Sequence, residues 1–203
     1  MGNEGFSAGE GVKAVLMELS RIMPPHATAG MSVDWSEVAD AWGVNFPIDY
    51  REFVATYGAG VIENYLVVLT PEVDPGGQST GGMIEETETA RDLWDDADRD
   101  PGVMADATSQ QLIAWGVNST ADLLCWLTVG DNPECWPVLV YGRGEDVWRQ
   151  YPPGMVEFLC RVFTCDVPEG SLSGKALWRN GRPRFLTFEE QRRLKDLGRD
   201  PWA

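Results

Sequence analysis

NFPIDYREFVATYGAG, residues Asn45 to Gly60, decides the fold. Pro47 suits the first turn of a helix, where its missing N–H costs nothing and its fixed φ is already helical. Tyr50, Phe53, Val54 and Tyr57 follow at i, i+3, i+4 and i+7, one apolar stripe of a short helix, and Gly58 supplies the stop. Val61 to Leu69, rich in Val, Ile, Leu and Tyr and closed by Thr70 and Pro71, reads as a strand. Helix, glycine corner and strand are expected to pack as one unit.

Upstream of this unit, residues 1–10 are polar and glycine-containing and are expected to be disordered. Val12, Val15, Leu16 and Leu19 mark an amphipathic helix ending near Pro24 and Pro25. Asp34, with Glu37 three residues on, caps a second helix whose buried stripe is Trp35, Val38, Ala39 and Trp42, and Gly43 ends it. Downstream, residues 71–83 (PEVDPGGQSTGGM) are so rich in Gly and Pro that a long loop is expected. Next comes IEETETARDLWDDADRD, in which Ala90, Leu93, Trp94 and Ala97 keep helical spacing while eight acids face two arginines. One side of such a helix packs on the body and leaves a negative ridge outside.

From Gln111 the pattern turns to strands: Leu112 to Trp115, Leu123 to Val129, Trp136 to Tyr141 and Val147 to Tyr151, separated by turn residues at 116–119, 130–133 and 142–144. Connections this short favour antiparallel neighbours, because a parallel pair needs a crossover of roughly a dozen residues. The second and third runs carry large apolar groups on both faces, so they belong at a covered centre, and Met155, Phe158, Leu159, Val162 and Phe163 trace a helix that covers one face. The expected class is α+β: a mixed, mainly antiparallel sheet with helices packed against it. The expected organisation is a disordered 1–10, a domain over 11–166, and a basic extension over 167–203 carrying a helix capped by Thr187 and Glu190 and ended by Gly198.

Gly43, Pro47, Tyr50, Phe53, Tyr57, Gly58 and Gly60 resemble the opening of the SUKH superfamily. LIAWG, the Cys125–Trp126 pair, Trp136 to Val138, Trp148 and the Phe158–Leu159 helix extend the likeness to the family's later strands and closing helix, from about Trp35 to Cys165. That superfamily contains a yeast cell-wall-synthesis regulator and many immunity proteins of bacterial polymorphic toxin systems. The resemblance implies a SUKH-like fold and a binding role. For the Gly-rich loop, the acidic helix and everything after Val167 the resemblance names no counterpart.

Composition narrows the chemistry. The formal charge of −16 argues against a nucleic-acid partner, which it would repel, and favours a basic one. The charge is uneven: residues 1–100 hold 19 acids against 5 basic residues, whereas residues 167–203 hold 5 against 8. A basic tail behind an acidic body is placed to fold back on it or to bind a neighbour. No run approaches the ~20 apolar residues of a membrane span, and no basic-then-apolar leader opens the chain, so a cytoplasmic location is expected.

Catalytic patterns are missing. Cys125, Cys135, Cys160 and Cys165 lack zinc-site spacing, and reduced thiols are expected. His26 is the sole histidine and has no neighbouring nucleophile signature. There is no P-loop, dinucleotide fingerprint or calcium loop. Metal: none and cofactor: none are the expectations, and a hydrolase is the least supported class. The leading expectation is a non-catalytic protein-binding domain, and the resemblance points to an immunity protein for a basic, nuclease-type toxin. The alternative is a scaffold or regulatory module. The partner-binding residues expected on the acidic helix are Glu86, Glu88, Asp92, Asp95 and Asp96.

Overall fold

The computed structural model describes residues 8–178 and 180–203. Residues 1–7 of the segment expected to be disordered lie outside the described residues, and the first helix, α1 (Ala8–Ile22), already begins at Ala8. In α2 (Trp35–Trp42) the Asp34 side chain accepts from the N–H groups of Ser36 and Glu37, and Gly43 ends the helix at φ 70°. This is the cap read from the sequence. Pro47 stands one position before α3 (Ile48–Tyr57) rather than within it and offers no side-chain cap. The missing acceptor comes from a distant part of the chain: Glu134 Oε1 takes the Ile48 N–H at 2.8 Å.

The run Val61 to Leu69 is a hairpin, not one strand. β1 (Gly60–Ile62) and β2 (Leu66–Val68) pair antiparallel across a turn in which Glu63 and Asn64 both have positive φ, 52° and 50°. Positive φ at two successive positions gives the twist that suits a tight antiparallel reversal, and Asn adopts it readily. The uninterrupted apolar pattern hid the turn. Residues 71–83 also depart from the expected loop: β3 (Glu72–Val73) and β4 (Ser79–Thr80) form a small separate hairpin. Asp74 closes it by accepting from the N–H groups of Gly76 and Gln78 at 2.8 and 3.0 Å.

After α4 (Gly82–Asp96) come β5 (Asp98–Arg99), β6 (Leu112–Asn118), β7 (Leu123–Leu127), β8 (Pro137–Gly142), β9 (Val147–Pro153), α5 (Met155–Thr164), β10 (Phe185–Thr187) and α6 (Phe188–Asp196). The main sheet has eight strands in the order β10-β1-β2-β6-β7-β8-β9-β5. Every pair is antiparallel except β5 with β9. The fold is therefore α+β with a mixed, mainly antiparallel sheet. The acidic segment is helical only to Asp96, and Asp98 and Arg99 turn into the parallel edge strand.

Helices cover both faces, which explains the doubly apolar β7 and β8, buried at every position. On one face Trp126 meets Phe46 and Tyr50 at the start of α3, and Trp115 meets Phe158 of α5. On the other, Trp148 of β9 meets Trp94 of α4 at 5.3 Å between centroids. Of the nine tryptophans, Trp94, Trp115, Trp126, Trp136 and Trp148 are buried, so most of this aromatic content is core.

The basic extension folds back. β10 pairs with β1, and Phe185 packs on Phe53 and Tyr57. This is the physical reason for Gly60: a Cβ there would stand 2.4 Å from the Leu186 carbonyl oxygen and 2.7 Å from the Phe185 ring. A second clasp holds the segment before it. The carboxylate of Asp122, fully buried, accepts from Asn118 Nδ2, Arg143 N, Ser173 N and Ser173 Oγ at 2.6–2.9 Å.

Candidate partner-binding surface

α4 is held by one face so that the other is presented. Met83, Thr87, Ala90 and Trp94 recur at helical spacing and are buried against the sheet. Thr87 is an unusual choice for such a stripe, and two hydrogen bonds account for it. Its hydroxyl donates to the Met83 carbonyl at 2.7 Å and accepts from the Ala114 N–H at 3.0 Å. Ala114 sits where the β6–β7 register shifts, between Ala114 and Gly116, so the helix supplies an acceptor beside an irregularity in the ladder. At the far end Trp94 is clasped between Trp148 and the guanidinium of Arg99, which lies 4.4 Å over its ring. Arg99 Nη2 also donates to the Trp94 carbonyl at 2.7 Å, placing a positive charge at the helix C-terminus, where the helix dipole favours it.

Of the five expected residues, the structure brings Glu88, Asp92, Asp95 and Asp96 together on the solvent face, at i, i+4, i+7 and i+8. Glu85, three residues before Glu88, is exposed on the same stripe and belongs with them. Helical spacing alone would have found it. Glu86 stands apart. It lies at the margin of the buried stripe, half-buried, and its carboxyl is pushed above its ordinary value by burial and then by the neighbouring Glu85. Among the described residues no Lys, Arg or His forms an ion pair with any of these acids. Arg91, the cation within the helix, instead points Nη2 towards the Gln110 carbonyl at 3.4 Å.

The β3–β4 hairpin flanks this surface. It lies between α2 and the start of α4, with Ser79 Oγ reaching the Ala41 carbonyl at 3.4 Å and the Glu72 carboxylate packed against Gly81. It is a defined element, and it stands where the chain turns into the acidic helix.

Groups that sequence patterns offer to catalysis are dispersed. His26 meets Thr28, two residues away, at 2.9 Å and Glu190 at 3.9 Å. The four cysteines are free. Cys125 is buried and Cys135 exposed, and burial pushes the Cys160 thiol up to about 12, far from a reactive thiolate. Among the described residues no group of three His, Cys, Asp or Glu is placed to hold a metal ion, and no helix is long and apolar enough to cross a membrane.

A family model described as SUKH_6, SMI1-KNR4 cell-wall, matches residues 33–159. The match begins just before α2 and runs into α5, so it includes α4 and the sheet from β1 to β9, and it leaves out α1, β10 and α6. No curated protein and no solved structure matches the chain.

Proposed function

Because this chain belongs to the SMI1-KNR4 cell-wall family of the SUKH superfamily, whose members are generally non-catalytic regulators and immunity proteins, we propose that it is a protein-binding domain that neutralises a basic toxin domain. One observation carries this reading beyond the family: an acidic helix face, without internal counter-ions, on a helix held to the sheet at Thr87 and at Trp94. A recognition surface benefits from such anchoring, because charges held in place lose less entropy on binding and present a constant field to an approaching cationic partner.

The mechanism is occlusion. Glu88, Asp92, Asp95 and Asp96, with Glu85, stand opposite the basic cleft that a nuclease needs for its polyanionic substrate, and the same cleft excludes nucleic acid while the acidic helix occupies it. The chain's own charge of −16 speeds encounter and opposes direct nucleic-acid binding. No catalytic step is assigned to this protein. The test is co-expression with the products of genes adjacent to its own. Restored growth in the presence of a toxic neighbour supports the reading. No rescue of any toxic neighbour contradicts it, and leaves a scaffold or regulatory role as the better account of the fold.

A further inference from the structure

Two segments outside the family match meet at the β10 edge of the sheet. The end of α1 and the residues after it form one wall of a groove of about 640 Å³, and residues 182–186, leading into β10, form the other. Arg21, His26, Arg182 and Arg184 line it, and among the described residues no Asp or Glu does, on a chain that holds 32 acids against 16 Lys and Arg. Ile22, Pro24, Pro25 and Leu186 add apolar surface, and none of the four is buried.

The positive charge is not consumed within the fold. Among the described residues Arg21 and Arg182 form no ion pair. Glu190 pairs with Arg193 at 2.7 Å and stands 3.9 Å from His26, while Glu63 accepts the Arg184 N–H. Arg184 turns its guanidinium to the Trp202 carbonyl at 2.8 Å. Both walls are held by Tyr57: its hydroxyl donates to the Met23 carbonyl at 2.7 Å, immediately before Pro24, and its ring meets Phe185 at 5.3 Å between centroids. Two successive prolines restrict the backbone on one side, and the pairing of β10 with β1 fixes the other. The groove is preformed, so a ligand has little ordering left to bring about.

We propose that this groove binds an acidic, extended peptide segment of a protein partner, with carboxylates on Arg21 and Arg182 and an apolar side chain against Ile22, Pro24 and Leu186. Charge complementarity selects the occupant, because guanidinium forks take carboxylates in bidentate fashion. At physiological salt charges are screened beyond about 8 Å, so a short peptide meets the groove's own cations. A nucleic acid would run on past the groove against the acidic body. The inference stands apart from the toxin reading: α1 packs with α3 and α5 on one face of the sheet, whereas α4 covers the other.

The test is fluorescence anisotropy of a labelled peptide of Asp and Glu around a central Leu, titrated with the full chain at low salt. The expected result is a saturable rise with a dissociation constant on the order of 100 μM, weakened about tenfold in the Arg21→Gln, Arg182→Gln double variant. Both arginines are exposed, so the variant keeps the fold, which circular dichroism checks. Arg143→Gln, at the β8–β9 turn, removes an exposed charge outside the groove and should leave binding within about twofold. No saturable rise, equal binding of the Asn and Gln counterpart of the peptide, an unchanged constant in the folded double variant, or an equal loss in Arg143→Gln would overturn the proposal. Tighter binding of a single-stranded oligonucleotide of equal length would overturn the choice of a peptide. A salt-sensitive dimer in sedimentation, lost in the double variant, would give the groove to a second copy of the chain instead. The Asp92→Lys, Asp95→Lys, Asp96→Lys variant of α4 should bind the peptide at least as tightly as the parent, and a loss there would contradict a separate site.

Discussion

Replacing Thr87 by valine isolates the bond that seats the acidic helix on the sheet. Valine has nearly the shape of threonine, so packing in this fully buried position is kept while the hydroxyl is lost. Two groups change partners. The Met83 carbonyl loses a donor but remains in the helix, and the Ala114 N–H, 3.0 Å from the missing oxygen, is left in the interior without an acceptor. An orphaned buried N–H costs about 1–3 kcal/mol, so a loss of about 2 kcal/mol is expected. With a urea dependence of about 2 kcal/mol per molar, the unfolding midpoint should fall by roughly 1 M at unchanged slope. Thr87→Ser keeps the oxygen and loses one methyl, which predicts a smaller loss of about 0.8 kcal/mol. Equilibrium unfolding followed by far-ultraviolet circular dichroism gives both numbers. A valine variant within about 0.5 kcal/mol of the parent, or a serine variant as unstable as valine, would refute the role given to this hydroxyl.

Asp122→Ala orphans four donors at the clasp on the C-terminal segment, two of them backbone N–H groups, and should cost at least about 3 kcal/mol, lowering the melting temperature by roughly 10 °C. A calorimetric shift under about 3 °C would contradict that role. Asp49 has a folded-state value raised above its unfolded one, so the native state holds the proton more tightly. Its contribution to stability is present at low pH, declines as pH rises from about 4 through the raised folded value, and is level above it. The parent should therefore lose stability relative to Asp49→Asn across that window. A parent–variant difference that moves the other way in pH-dependent urea melts would reverse the assignment. Exposed Cys135 should react with a thiol reagent in the native state while buried Cys125, its thiol pushed up by burial, waits for unfolding; equal native rates would contradict the packing of β7.

What the sequence made legible is what depends on local periodicity. The stripe Tyr50, Phe53, Val54 and Tyr57, the Asp34 cap, the four strands from Leu112 onward and the burial of Trp94 follow from spacing and cap chemistry, although β6 runs on to Asn118 through residues that read as a turn. What depends on distant partners was not legible. The reversal at Glu63 and Asn64 interrupts no apolar pattern. Gly60 reads only as part of a glycine corner before a strand until β10, more than a hundred residues later, needs its missing side chain. Of the acidic surface, the anchored and exposed stripe could be read from the i, i+4 rhythm, which also separates Glu86 from Glu88. The trans caps from Asp49 and Glu134 could not, because each joins residues about ninety or more positions apart.

The central claim is that the solvent face of α4 steers and holds a basic partner. Its most direct test is the association rate of the toxin domain identified by growth rescue, measured against ionic strength for the parent and for the Asp92→Lys, Asp95→Lys, Asp96→Lys triple variant. All three residues are exposed, so the variant should fold normally. The account predicts an association rate lower by about tenfold or more at low salt, with the difference narrowing as the Debye length shrinks from about 10 Å at 0.1 M salt to about 3 Å at 1 M. An unchanged rate with an unchanged salt dependence would contradict it and move the recognition surface away from this helix.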